Sequence, residues 1–346
     1  MSRSPQTTLR NQVQAHTSQS SRPTATTLRN TSEPLRPFLD WPVVTTPSEW
    51  SGNVALLGVQ RSEPYTRDGV PNDQARAPDE IRRLSFQFCD GPDHWDFDLD
   101  RPLCELAGMR PIDCGNMTFS DGDYEAFSTW QTSVLRQMWR SGMQVVLLGG
   151  DHGITIPAIE AMDVLNEPVH IVHIDAHLDW RDSVGDVRNG YSSPLRRASE
   201  KPWVGGMTQI GLRGTGSARR SEIEAAQAYG SRLFTANEIH RNGMQQVVDT
   251  LPEGGLVYVT IDADGLDPSQ MPGVLGPSPG GLKVEQVIPL LHAIGRKSTI
   301  VGLDVVEIAP SFDYENAITC ITAGRLVINA LGASWRDGPP SIPNAR

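Results

Sequence analysis

His170-Ile171-Val172-His173-Ile174-Asp175-Ala176-His177-Leu178-Asp179 joins a mostly aliphatic run to a cluster of acids and imidazoles. A run this short and continuous reads as a strand buried on both faces of a parallel sheet, where alternation is lost because neither face meets water. Five more runs share its texture: Val54–Val59, Val145–Leu148, Thr208–Leu212, Leu256–Ile261 and Thr299–Val306. Stretches of helical texture are interspersed with them: Glu125–Arg140, Ile154–Leu165, Ala218–Tyr229, Glu238–Thr250, Lys283–Ile294 and Thr319–Leu331. This alternation predicts an α/β fold, a single domain with a doubly wound, mainly parallel sheet and helices on both faces.

Composition narrows the function classes. The 346 residues include 41 acidic and 30 Lys or Arg side chains, a net charge of -11. That balance argues against a nucleic-acid or membrane-surface partner and mildly favours cationic substrates. No apolar run is long enough for a membrane span. Cys89, Cys104, Cys114 and Cys320 lack CxxC spacing, which points to a reducing compartment and away from a zinc ribbon. The N-terminus lacks the apolar core of a signal peptide, so a cytoplasmic location is expected. Residues 1–45 read as a polar extension, either disordered or an arm for a neighbouring subunit. Thr7-Thr8-Leu9-Arg10-Asn11 recurs in it as Thr26-Thr27-Leu28-Arg29-Asn30. Residues 46–346 read as the folded domain.

In such a sheet, ligands bind where strands end. Three polar clusters sit there: Gly149-Gly150-Asp151-His152-Gly153, Asp175-Ala176-His177-Leu178-Asp179 and Asp262-Ala263-Asp264-Gly265-Leu266-Asp267-Pro268. In extended chain Asp175, His177 and Asp179 point to one face, as do Asp262 and Asp264. Each Asp alone reads more readily as a helix N-cap. Together they bring several carboxylates to one crevice, where like charges raise one another's pKa unless cations intervene. Oxygen-rich ligation with two imidazoles suits Mn²⁺ or a similar first-row ion.

The three clusters resemble the GGDH, DAHxD and DxDxxDP motifs of the ureohydrolases (arginase, agmatinase, guanidinobutyrase and formiminoglutamase). Ile210-Gly211-Leu212-Arg213-Gly214, Pro279-Gly280-Gly281-Leu282 and Asp304-Val305-Val306-Glu307-Ile308-Ala309-Pro310 look most like the agmatinase branch. The resemblance runs from about Val54 to Leu331. It implies a ureohydrolase catalytic domain with two divalent metal ions, Mn²⁺ or Ni²⁺. His152, Asp175, Asp179 and Asp262 would hold one ion, and Asp175, His177, Asp262 and Asp264 the other. Glu307 would bind a guanidinium, and Asp264 would carry the proton from nucleophile to leaving amine. It also implies a homo-oligomer, a trimer or hexamer.

The sequence departs from the family at its substrate segments. Asn189, in Arg188-Asn189-Gly190-Tyr191-Ser192-Ser193, takes the place read as the family's His, and an amide cannot shuttle a proton. The loop Pro272–Gly281 reads PGVLGPSPGG where agmatinases read PGTGTPEPGG, and Trp180 follows Asp179. Asn189 is expected to hydrogen-bond the substrate in the His's place, while Trp180, Val274 and Leu275 are expected to make the pocket mouth more apolar and smaller. That favours a small or N-alkylated guanidine or a biguanide such as metformin over arginine. The alternatives are a weakly active subunit supporting a paralogue in a hetero-oligomer, and a one-metal deacetylase of related fold.

Overall fold

The computed structural model describes residues 28–62, 72–86, 93–120, 122–216 and 218–342. Its main sheet has eight strands: β1 (Val54–Gln60), β4 (Pro111–Thr118), β5 (Gln144–Leu148), β6 (Val169–Ile174), β7 (Val204–Leu212), β8 (Arg232–Thr235), β9 (Leu256–Asp262) and β10 (Thr299–Val306). A small antiparallel pair, β2 (Trp95–Asp96) and β3 (Arg101–Pro102), stands apart. The order in the main sheet is β4-β1-β5-β10-β9-β6-β7-β8, and every pairing in it is parallel. All six expected strands are present, and the doubly wound α/β expectation holds.

Alternate residues of each strand feed opposite cores. Leu56, Val146, Leu148, Val172, Val259 and Leu303 face one side. Ala55, Leu57, Val145, Leu147, Ile171 and Tyr258 face the other. Helices α1 (Ala77–Leu84), α6 (Ala236–Asn242), α7 (Gln245–Val248), α8 (Val284–Lys297) and α9 (Ile318–Ser334) cover the first side. Helices α2 (Tyr124–Arg140), α3 (Thr155–Ala161), α4 (Pro194–Ala198) and α5 (Arg220–Tyr229) cover the second. Because both faces are covered, the strands stay aliphatic throughout.

Some boundaries differ from expectation. Glu238–Thr250 is two short helices, because Gly243 adopts φ 77° and ends α6. Ile154–Leu165 shortens to α3 followed by a tight turn at Met162–Val164. Strands β2, β3, β4 and β8 and helices α1 and α4 are additional. The extension expected over residues 1–45 also changes character. Residues 1–27 lie outside the described residues, but Phe38, Leu39 and Trp41 are core residues. Ser32 exchanges backbone hydrogen bonds with Asn116 of β4 at 2.9 and 2.8 Å, which covers that sheet edge. Residues 28–45 are therefore packed on their own domain because they carry apolar anchors the polar tail lacks.

The strand order reverses where the chain passes from β5 to β6, leaving β10 and β9 to be inserted between them. The carboxyl ends of these four strands converge on one crevice, as expected at a topological switch point.

Candidate metal centre

His152 follows β5, Asp175 follows β6, Asp262 ends β9 and Glu307 follows β10. Close backbone approach draws these ends together. A Cβ on Gly150 would lie 1.6 Å from the Arg61 carbonyl oxygen, and one on Gly265 would lie 2.7 Å from the Asp175 nitrogen. Only glycine permits either contact. Asp179 and Glu307 sit in the left-handed backbone region, at φ 51° and 64°. For Glu307 that conformation is unfavourable, and it is held by the bond from its backbone N–H to the Gly150 carbonyl at 2.8 Å.

The N-cap and ligand readings of the aspartates are not exclusive. Asp262 Oδ1 accepts from Asp264 N at 2.9 Å, Asp264 Oδ1 from Ala176 N at 3.2 Å and Asp175 Oδ1 from His177 N at 2.5 Å. Each turn is fixed by one oxygen. The Oδ2 atoms of Asp262 and Asp264 are left to face the crevice.

Two focal points result. Nδ1 of His152 lies 3.0 Å from Asp179 Oδ2, 3.2 Å from Asp262 Oδ2 and 3.4 Å from Asp175 Oδ2. Nδ1 of His177 lies 3.1 Å from Asp264 Oδ2 and 3.3 Å from Asp175 Oδ1. Asp175 thus gives one oxygen to each point. His152 is buried, while His177 is partly open to the cavity.

The electrostatics show what this arrangement lacks. Burial raises the pKa of Asp262, and the nearby Asp264 and Asp175 raise it further. Burial and Asp175 likewise raise Asp264. Burial opposes ionisation of Asp175, but His173, His152 and His177 outweigh it and hold this carboxyl well below the usual range. Burial opposes charge on His177, yet Asp175 and Asp264 push its pKa up to about 12. The set demands positive charge.

A metal fits that demand. Nδ1 of His152 is buried, and none of the three carboxylates is placed to accept a hydrogen bond from it. A cation between them would satisfy all four groups without directional constraint. The donor set, imidazole nitrogen and carboxylate oxygen, suits a divalent first-row ion. His173, which lies within ligating distance of the same group, has another task. Its Nε2 is 2.8 Å from Asp175 Oδ2, and its Nδ1 accepts from Gln209 Nε2 at 3.0 Å. Both ring nitrogens are engaged, and His173 orients Asp175.

The crevice opens into a cavity of about 380 Å³. Of the residues singled out in the sequence, His177, Asp179, Asp262, Asp264, Leu275 and Glu307 line it. Burial, followed by the nearby charge of Asp151, raises the Glu307 pKa to about 8. Its Oε1 accepts from His152 N at 2.6 Å, and its Oε2 accepts from the Gln74 side-chain amide.

Three expected residues stand elsewhere. Asn189 is exposed and outside the described cavity lining. Arg188 is drawn outward by Asp182 at 3.3 Å, and a turn from Ser193 N to Gly190 O carries the chain back. Tyr191 and Ser192 reach the wall instead. Trp180 is buried against Tyr229, with ring centroids 5.9 Å apart. Val274 is buried and bridges Ile308, so both serve the apolar core. Asn72 and Gln74, absent from the sequence expectation, line the cavity beside Glu307.

Residues 53–332 match the arginase family. N(1)-aminopropylagmatine ureohydrolase of Thermus thermophilus is 36% identical over 199 residues, 56% of this chain and 63% of its own length, just under two thirds. Agmatinase of Neisseria meningitidis serogroup C is 30% identical over 305 residues, covering 85% of this chain and 91% of its own. The structure of proclavaminate amidino hydrolase from Streptomyces clavuligerus superposes with a TM-score of 0.70 at 26% identity, over 87% of this chain and 97% of its own.

Proposed function

The chain belongs to the arginase family, and on that footing we propose that it is a dinuclear-metal amidinohydrolase of guanidino compounds. The supporting observation is the bare Nδ1 of His152 among three carboxylates, on a cavity that also holds Glu307. His152, Asp175, Asp179 and Asp262 would hold one ion, and Asp175, His177, Asp262 and Asp264 the other. Two such ions, Mn²⁺ or Ni²⁺, would supply Lewis acidity and a water of lowered pKa.

Glu307 accepts N–H groups of the guanidinium and holds its carbon over the centre. Water adds to that carbon, one C–N bond breaks, and the departing nitrogen takes up a proton. Asp264 accepts the nucleophile's proton and returns it to that nitrogen. With Asn189 outside the cavity, this work stays with Asp264. The products are an amine and urea or a urea derivative.

The walls favour a compact substrate. Among the described lining residues there is no Lys or Arg to meet an amino-acid carboxylate, and the acids are Asp179, Asp262, Asp264 and Glu307. A distal ammonium or carboxylate would lack a dedicated partner, whereas Asn72, Gln74, Tyr191, Ser192 and Thr215 offer neutral hydrogen bonding. This supports a small or N-alkylated guanidine or a biguanide such as metformin over arginine.

Reconstitution of the apoprotein with Mn²⁺ or Ni²⁺, followed by assay of guanidine, methylguanidine, dimethylbiguanide, agmatine and arginine, tests the reading. A strong preference for arginine eliminates the substrate class. Glu307→Gln should retain metal and lose turnover. Assaying the purified chain alone, with its mass in solution, separates a homo-oligomer, a trimer or hexamer, from a subunit that needs a paralogue.

A further inference from the structure

We propose that Asn72 is a specificity-determining residue, selecting guanidines whose nitrogen substituent carries a hydrogen-bond acceptor at or just beyond the bridging nitrogen over simple alkylguanidines. The inference rests on the proposed hydrolysis and names the substrate class of the same cavity. The acceptor is a carbonyl oxygen, as in guanylurea, or the bridging nitrogen of a biguanide.

Asn72 Oδ1 accepts from Gln74 N at 3.0 Å, which fixes the amide so that Nδ2 is the free end. Nδ2 is buried and has no hydrogen-bond partner among the described residues, although Asn72 lines the cavity. A buried donor without an acceptor is unfavourable, and a ligand that supplies one is selected by that deficit.

Gln74 fixes where the donor stands. Ser62 Oγ donates to Gln74 Oε1 at 2.9 Å, and Gln74 Nε2 donates to Glu307 Oε2. Gln74 is buried, so the relay from Ser62 to Glu307 leaves its amide no freedom to turn. Asn72 is thereby tied, through the Gln74 backbone, to the acid that takes the guanidinium. An alkylguanidinium carries only N–H groups. It can satisfy Glu307 but offers nothing to Asn72 Nδ2. The bridging nitrogen of a biguanide, bonded directly to the guanidino carbon, or the carbonyl oxygen of guanylurea, on the carbon beyond the bridging nitrogen, can meet both.

The test compares kcat and KM for guanylurea and dimethylbiguanide with those for methylguanidine, using metal-loaded enzyme. Asn72→Leu removes the donor. Asn72→Asp keeps the Oδ1 contact to Gln74 N and turns the donor into an acceptor. In both variants the ratio of kcat/KM for acceptor-bearing over alkyl substrates should fall roughly tenfold to a hundredfold, mainly through KM. A ratio unmoved in Asn72→Asp, or an equal loss for all substrates, overturns the assignment while hydrolysis stands. If wild-type enzyme turns over no guanidine with any metal, hydrolysis itself falls and the assignment with it. Asn72→Asp carries the test should Asn72→Leu fail to fold.

Discussion

The hydroxyl of Thr260 lies 2.8 Å from Nε2 of His152. Thr260 donates to Asp304 Oδ1 at 2.6 Å, and Asp304 also accepts from Tyr258 at 2.8 Å and from Thr155 at 2.9 Å. With its proton committed to Asp304, Thr260 accepts from His152 Nε2. With a cation bound among the carboxylates, Nδ1 would turn its lone pair toward it, and the buried hydroxyl relay at Nε2 would set the tautomer that such a ligand needs.

Removing that acceptor should weaken metal binding without touching a ligand. Thr260→Val keeps the volume and leaves His152 Nε2 buried without a partner. Metal affinity measured by calorimetry should drop about 10- to 100-fold, and Thr260→Ser should restore most of it. Unchanged affinity in Thr260→Val would show that the relay does not set the tautomer.

The two focal points should empty separately. Asp175 faces both, with Oδ2 toward His152 and Oδ1 toward His177. Asp175→Ala is expected to abolish tight binding of both ions. His177→Ala removes a ligand from the more open point and should lower the content from two ions per chain to one. Elemental analysis after dialysis decides between these patterns, and one ion per wild-type chain would contradict the dinuclear reading.

The clusters of carboxylates and imidazoles were legible in the sequence because several such donors at fixed spacing beside strand ends are a pattern that metal ligation would need. The aliphatic strands were legible because burial on both faces leaves a continuous run. Strand β4 was not, since Asp113, Gly115 and Asn116 interrupt its apolar texture, and Asp113 is buried there to meet Arg82. Strand β8 is only four residues at the far edge of the sheet. Asn72 and Gln74 were invisible because an amide gains a role only from its neighbours, and Glu307 is 233 residues from Gln74 in sequence. Asn189 was matched to the family's His by motif, whereas the turn at Gly190 brings Tyr191 to the wall.

Acid should destabilise the fold partly through His170. Burial lowers its pKa from 6.5 to about 4, and its Nε2 lies 2.9 Å from Thr208 Oγ1. Because the folded value is the lower one, the unfolded chain binds the proton first. Stability is therefore full above about pH 6.5 and is lost as pH falls toward about 4, by up to about 3 kcal/mol. His170→Gln should flatten the loss over that interval when denaturation midpoints are measured from pH 7 to 4. An identical slope in wild type and variant would assign the loss to other groups.

Helix α1 is clamped to the sheet by one buried ion pair. Arg82 Nε and Nη2 meet Asp113 at 2.8 and 3.0 Å, while Nη1 reaches Asn116 at 2.6 Å. Both charged side chains are fully buried. Asp113→Ala would strand the guanidinium and should cost about 3–5 kcal/mol in denaturant unfolding. Asp113 also accepts from Phe38 N at 3.0 Å, so the N-terminal segment should loosen with it. Gln74 lies just before α1, and a displaced helix would carry the Gln74 amide away from Glu307. The conservative Asp113→Asn variant should lose stability and raise KM together, because one clamp holds both the helix and the cavity wall. A stability loss with KM unmoved would separate the clamp from the site.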